Sequence, residues 1–391
     1  MRSSHYTITP RAVQFHSELV LQQHVRLADH GPKCSASVLW RLLCYAAARI
    51  TSLAATCVAL ANAPSNTATH DALLAGLPGF AELQRRLNRA LQGDLPNALR
   101  RRRQPLAIDL TLLPYHGTCF ARPEEIYRGQ AKNGTTHFHA YATAFVVRHG
   151  SRFTVGLTAV ERSEPLQGVL RRLLDQAARA GVRPRYLLLD RGFCSVDVIR
   201  YLQRSRRAYL MPLPRRGRGL NHPSGPSGTW ALAARKRSGW AEYTLRNARG
   251  QTATVFVCLR CRNRRGERGR RGREALLYAV GRMWPSSPLW VQETYRQRFG
   301  IETSYRQLNQ ARIRTSTRDP LLRLLYVGVS LVLRNVWVWL HWAVLSEPRR
   351  GGRRIDLRRL TFRRMLLWLQ HAAETQFGID DEIPTHHDPW Q

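Results

Sequence analysis

Apolar residues along this chain keep one period and then another. From 37 to 92 they recur at intervals of three and four, the spacing of a single buried helix face. Turn signals divide that run. Ser37-Val38-Leu39 opens one helix, Thr51 is placed to cap a second through Leu60, the stretch NAPSN (62–66) interrupts, a third helix begins near Asn66, and a fourth spans Gly79 to Gln92. Past the basic linker RRRRQP (100–105) the period falls to two. LAIDLTLL, THFHAYATAFVV and RFTVGLTAV are three β-rich runs in succession, followed by a helix over 165–180, the strand RYLLLD, a helix over 195–204 and the strand RAYLMPL.

Three antiparallel strands followed by alternating helix and strand predict an α/β sheet of ribonuclease H type. The alternation then breaks. PRRGRGLNHPSGPSG (214–228) is a loop, and WAEYTLRN, QTATVFVCLR and ALLYAVGR are strands, with the charged loop RNRRGERGRRGRE between the last two. These residues form a β-rich insertion. Next, YRQRFGIETSYRQLNQ (295–310) predicts one amphipathic helix. At about 100° per residue it gathers Tyr295, Arg298, Glu302, Tyr305, Arg306 and Asn309 into one stripe where a bundle helix would keep its apolar seam.

The run Val327–Leu345 is apolar enough to suggest a membrane span, but it contains Arg334, Asn335 and His341. A central arginine alone costs about 2.5–3.5 kcal/mol of insertion, so a buried helix is expected and no membrane partner. The tail RRGGRRIDLRRLTFRRMLLWLQHAAE (349–374) reads as a basic amphipathic helix. The chain thus divides into an N-terminal helical region (1–99), a first catalytic part (104–213), the β-rich insertion (214–285), C-terminal helices of the catalytic domain (286–345) and a basic tail (346–391). Within the first region, TSLAATCVALANAPSNTATHDALL (51–74) has the layout of a helix-turn-helix, which makes it a DNA-binding candidate.

Charge sharpens that expectation. The 391 residues carry a net charge of +36, and all but three of the 62 basic residues are arginine, the lysines being Lys33, Lys132 and Lys236. A field of that sign and size attracts polyanions, with nucleic acid first among them, and arginine suits bidentate phosphate contacts. The seven cysteines lie mostly in apolar runs and read as reduced core residues. Residues 1–30 contain no apolar signal-peptide core. A cytoplasmic, nucleoid-associated protein is expected.

Chemistry enters through three carboxylates. Asp109 sits inside LAIDLTLL, Asp190 ends RYLLLD, and Glu302 is the lone acid in the cationic stripe. A carboxylate in or at the end of a buried strand loses hydration and needs hydrogen bonds, a cation or a metal to stay ionised. Two sheet acids and one helical acid are hard oxygen donors of the kind Mg²⁺ takes, with Mn²⁺ as the alternative ion. An ion pair held so activates a water or 3′-hydroxyl for in-line phosphoryl displacement. Arginines beside it, Arg298 and Arg191 among them, suit the scissile or flanking phosphate.

These residues carry a family resemblance. The order Asp109, Asp190, Glu302, the surroundings IDLTLLPYHG and LDRGF, and the helix signature Tyr295-x₂-Arg298-x₃-Glu302 resemble the DDE transposases of prokaryotic insertion sequences, in the group with a Tyr-Arg-Glu-Lys helix motif. The resemblance covers 37–345. It implies a ribonuclease H-like catalytic domain with a β-rich insertion, double-stranded DNA as partner (element ends and target), a homodimer in the DNA complex, and joining of cleaved 3′ ends to target DNA. The group's lysine position holds Asn309 here: either Arg306, one turn earlier on the same face, takes its place at the phosphate, or strand-end binding is weakened. A ribonuclease H-fold nuclease without strand transfer and an inactive, domesticated DNA-binding protein are the alternatives.

Other residues add less. Cys258-x₂-Cys261 lacks nearby partners for zinc, His137 and His139 share a strand face and read as structural, and Trp230 and Trp240 read as core positions. Lys132 lies in GQAKNGTTH, expected to be a flexible turn. His116, just past Asp109 in PYHG, is a candidate to line the site.

Overall fold

The computed structural model describes residues 7–148, 150, 152–265, 271–299, 309–350 and 352–380. Two compact units share the chain. One comprises residues 1–95, 117–121 and 305–391, the other 96–116 and 122–304.

The first unit is helical. Its elements are α1 (Pro10–His24), α2 (Ala36–Arg49), α3 (Leu53–Ala59), α4 (Asn66–Gly76) and α5 (Phe80–Gly93), with later segments of the chain. Starts follow the capping rule: Thr9, Ser35, Ser52 and Ser65 accept from backbone N–H groups of α1, α2, α3 and α4. Ser52, not Thr51, caps α3. Thr51 instead gives its carbonyl to the N–H of Arg314 at 2.9 Å, in an isolated bridge between neighbouring segments.

The second unit begins with α6 (Asn97–Arg101) and is built on one sheet. Its strands are β1 (Gln104–Pro114), β2 (Tyr127–Lys132), β3 (Thr135–Val146), β4 (Thr154–Val160), β5 (Pro184–Leu189), β6 (Tyr209–Pro212), β7 (Gly239–Arg246), β8 (Thr252–Arg265) and β9 (Arg271–Gly281). The helices α7 (Leu166–Arg179), α8 (Val196–Arg204), α9 (Thr229–Ala233) and α10 (Pro288–Arg296) complete it. Among the described residues the strand order is β2-β3-β1-β5-β6-β9-β8-β7, with β4 also paired to β3. β1, β5 and β6 run parallel, whereas β3 is antiparallel to β1. Leu106–Ile108 and Leu187–Leu189 are fully buried. Such continuous apolar runs mark central parallel strands covered on both faces.

The β-rich insertion extends the sheet, because β9 pairs with β6 and carries it outward through β8 and β7. Two expectations change here. Most of the expected charged loop is itself ladder, with Arg262 opposite Glu274 and Arg265 opposite Arg271. Likewise GQAKNGTTH is mostly strand. Its turn is Asn133-Gly134, both at positive φ, as a tight hairpin requires.

Residues 295–310 do not continue one helix from their start. α10 ends at Arg296, Gln297–Phe299 tighten into a 3₁₀ turn, and 300–308 lie outside the described residues. The apolar run expected inside the catalytic domain belongs to the first unit, as α11 (Pro320–Trp339). It is long and apolar enough to cross a membrane, but 89% of that span is buried. A side chain at Gly328 would collide with that of Leu87, so the glycine permits the close approach of α11 and α5. Polar groups within the run find partners in the helical unit: Asn335 donates to the Leu91 carbonyl at 3.0 Å, and His341 Nε2 bonds that of Leu360 at 2.7 Å, whereas His341 Nδ1 is buried with no hydrogen bond among the described residues. The tail opens with a short hairpin, β10 (Glu347–Arg349) and β11 (Gly352–Arg354), and only then forms α12 (Phe362–Phe377), which packs on α1 and α2.

Candidate active site

Two carboxylates leave the sheet side by side. Ile108 and Leu189 are register partners on parallel β1 and β5, so the next residues, Asp109 and Asp190, stand at the same level. Asp109 is largely buried, and its Oδ1 accepts from the Leu110 N–H at 2.8 Å. Asp190 is the more exposed. It caps the 3₁₀ turn Arg191–Phe193, with Oδ2 accepting from the Gly192 N–H at 3.4 Å.

Arg298 joins them. Ser287 caps α10 and Pro288 starts it, and the 3₁₀ turn after the helix delivers the guanidinium between the two acids. Nη1 lies 3.2 Å from Asp109 Oδ2 and Nη2 lies 3.5 Å from Asp190 Oδ1. Only 8% of the Arg298 side chain is exposed. Burial opposes its charge, but Tyr295, Asp109 and Asp190 more than offset that and raise its pKa. The arginine is therefore a fixed cation between the two carboxyl groups, as a buried charge requires a partner.

Tyr295, three residues earlier, forms the floor. Its hydroxyl donates to the Leu189 carbonyl at 3.3 Å, and its ring lies 5.3 Å from the Arg298 guanidinium and 5.3 Å from the ring of Tyr278. Burial raises the pKa of Tyr295 and pushes that of Tyr278 up to about 12, so both remain neutral phenols. Beside them opens a cleft of 870 Å³, lined by Arg191, Arg215, Arg262 and Arg296 with Tyr278 and Tyr295. Arg262 is paired with Glu274 at 2.6 Å, and Arg215 donates to the Ala275 carbonyl while lying over the Trp230 ring.

The structure thus brings Asp109, Asp190, Tyr295 and Arg298 together and places Arg191 at the cleft. Glu302 and Arg306 lie outside the described residues, and Asn309 is exposed in the first unit. His116 is not at the carboxylates. It lies past the end of β1 beside the hairpin turn, its Cε1 3.9 Å from where a Gly134 side chain would begin. Register explains why: Asp109 faces Thr143 and that turn precedes Thr135, eight residues and about 25 Å along β3. Among the described residues no three His, Cys, Asp or Glu side chains cluster as a metal site. His137 instead meets Arg128 at 3.1 Å and His139 packs edge-on against Tyr115.

Sequence reasoning missed Tyr278, Arg215 and Arg296, whereas Arg262 lies in the charged run it had already marked. Tyr278 had only strand alternation as a signal. Arg296 and Arg215 had none.

The family model for the transposase DDE domain matches residues 100–325, more than half of the chain. Among solved structures, a piggyBac transposase synaptic complex with hairpin DNA is similar at a TM-score of 0.49 and 12% identity, over 96% of this chain and 74% of that one. No curated protein matches the sequence.

Proposed function

The chain belongs to the transposase DDE-domain family and is a DNA transposase, and from that premise we propose that it cleaves the ends of its own insertion sequence and joins the freed 3′-hydroxyls to target DNA. The carrying observation is the pair of carboxylates at one level of adjacent parallel strands, Asp109 within β1 and Asp190 just past β5, bridged by Arg298. The order β4-β3-β1-β5-β6, with β3 alone reversed, supports a ribonuclease H-like core. Double-stranded DNA is the partner in this reading, and two copies of the chain hold two element ends.

Enzymes of this family depend on a divalent metal. The donor set fits one: two carboxylates on neighbouring strands supply hard oxygens, and the place between them already carries positive charge. Asp109 and Asp190 would hold Mg²⁺, with Glu302 as third ligand. The chemistry supplied there is activation of a water or 3′-hydroxyl and stabilisation of the leaving oxygen.

The protein's own groups do the rest. Leu110 and Gly192 N–H groups aim one oxygen of each aspartate, and the Tyr295 hydroxyl fixes the strand end from which Asp190 departs. Arg298 pairs with both acids and holds them in register with one another. Arg191, Arg215 and Arg296 at the cleft meet backbone phosphates, and Arg306 and Asn309 hold the strand end. Labelled element ends incubated with and without Mg²⁺ test the reading. Asp109→Asn, Asp190→Asn and Glu302→Gln should each bind ends and fail to nick them, and cleavage persisting in all three would refute it. Pre-cut ends offered with plasmid target should yield joined products, whereas hydrolysis alone would leave a nuclease.

A further inference from the structure

At the opposite end of the same strands a second cleft opens. Its volume is 710 Å³, and Arg103, Arg183, Arg185, Arg206, Arg207 and Arg282 line it, with no carboxylate among its walls in the described residues. The topology assembles them. Arg103 precedes β1, Arg183 and Arg185 open β5, Arg206 and Arg207 precede β6, and Arg282 follows β9, which runs antiparallel to β6. All six therefore gather where the parallel strands begin, while Asp109 and Asp190 stand where they point. From Pro184 to Asp190 is six residues, about 20 Å of strand.

We infer that this arginine cleft is a second, non-catalytic site for the phosphodiester backbone of DNA. Among the described residues, none of the six arginines is held in an ion pair, although arginines elsewhere are: Arg85, Arg86 and Arg89 surround Glu82, Arg172 meets Glu164, and Arg262 meets Glu274. The Nε of Arg207 is buried without a hydrogen-bond partner. Arg183 reaches only the Arg101 carbonyl, at 3.5 Å, and Arg185 lies over the Tyr186 ring. Arg206 and Arg282 also hold left-handed backbone, at φ 51° and 49°, which side-chain-bearing residues avoid. Six like charges in one concavity repel one another until an anion neutralises them. Planar guanidinium forks suit phosphate, and so many favour a polymer with several phosphates over a single ion. The inference takes from the proposed function only that DNA is the partner, and is independent of what the aspartates catalyse.

The test uses the full chain and a short random-sequence duplex, with affinity measured across a salt series. Arg183→Gln, Arg185→Gln and Arg207→Gln combined should weaken binding and flatten the dependence of log affinity on log salt by roughly 2–3, close to 0.9 for each phosphate no longer neutralised. The matched triple lysine variant should regain most of the slope. Unchanged affinity and slope in the glutamine variant would overturn the inference. Because that variant could fail to fold, phenylglyoxal labelling of the wild type gives a second reading. Duplex should protect Arg183, Arg185 and Arg207 where inorganic phosphate does not, and equal labelling with and without duplex, or protection only by polyglutamate, would also overturn it. Wild type that binds no duplex at all would instead refute the proposed function.

Discussion

The two ends of the central sheet handle charge in opposite ways. Level with the end of β5 and midway along β1, two carboxylates are matched by one buried guanidinium. Where β1, β5 and β6 begin, six guanidiniums line a cleft that offers no carboxylate in return. Local compensation makes the first end stable in the absence of a ligand and leaves oxygens oriented for a cation. Lack of it makes the second end a standing attraction for an anion, strongest at low salt. On the two proposals above, one sheet separates chemistry from grip.

The largest effect expected at the aspartate end is on catalysis. Asp190→Asn should lower the Mg²⁺-dependent nicking rate by at least about 10²–10³-fold, the scale for losing a group that stabilises transition-state charge. Gel-resolved single-turnover kinetics measures it, and a loss under tenfold would remove Asp190 from the centre.

Next in size is Arg298→Ala, which leaves two acids without their shared cation. Breaking a buried pair costs about 3–5 kcal/mol, and the exposure of Asp190 reduces that here to about 2–3 kcal/mol. Denaturant unfolding with and without Mg²⁺ reads it. The variant should be destabilised without the ion and gain more stability from it than wild type does. Wild-type stability in the variant would mean that the pairing is incidental.

The aromatic floor gives a smaller, pH-dependent effect. Burial raises the pKa of Tyr278 to about 12 and raises that of Tyr295 above its ordinary value. The unfolded chain therefore releases these protons first. Their contribution is complete below the unfolded tyrosine pKa of about 10 and is lost as pH rises towards 12 and beyond. Tyr278→Phe should flatten the alkaline loss of stability in a pH series of unfolding curves, and an unaltered series would show that Tyr278 already ionises in the folded protein. The smallest effect is at the arginine end. Arg282→Gln alone should reduce the salt slope of duplex binding by about 0.9, and no change would exclude Arg282 from the phosphate track.

Much of the aspartate end was legible in the sequence. An acid within LAIDLTLL and another ending RYLLLD stand out because burial makes a lone carboxylate costly, and adjacency follows once both runs are parallel strands. Arg298 was legible as part of a polar stripe. A helical period names a face but not its target, so the bridge between the two aspartates was not foreseen. The arginine cleft was unreadable, since its residues come from four separate stretches with no shared spacing.

The same limit explains the strands that were overlooked. β2 is almost wholly exposed and polar, and the outer ends of β8 and β9 are rich in arginine. Their ladders are built from backbone hydrogen bonds, which leave no apolar alternation to find. The apolar run of α11 was recognised as buried and placed with the catalytic domain, whereas it packs within the helical unit. Hydrophobicity says that a helix is covered, and only close approaches such as that of Gly328 to Leu87 say by what.

Anomalous diffraction from crystals soaked in Mn²⁺ would test the site most directly. A peak within coordination distance of an oxygen of both Asp109 and Asp190, with Arg298 turned away from at least one of them, is the expected result. A peak elsewhere, with the Arg298 bridge intact and neither aspartate bound to metal, would contradict the assignment of this pair as the catalytic centre.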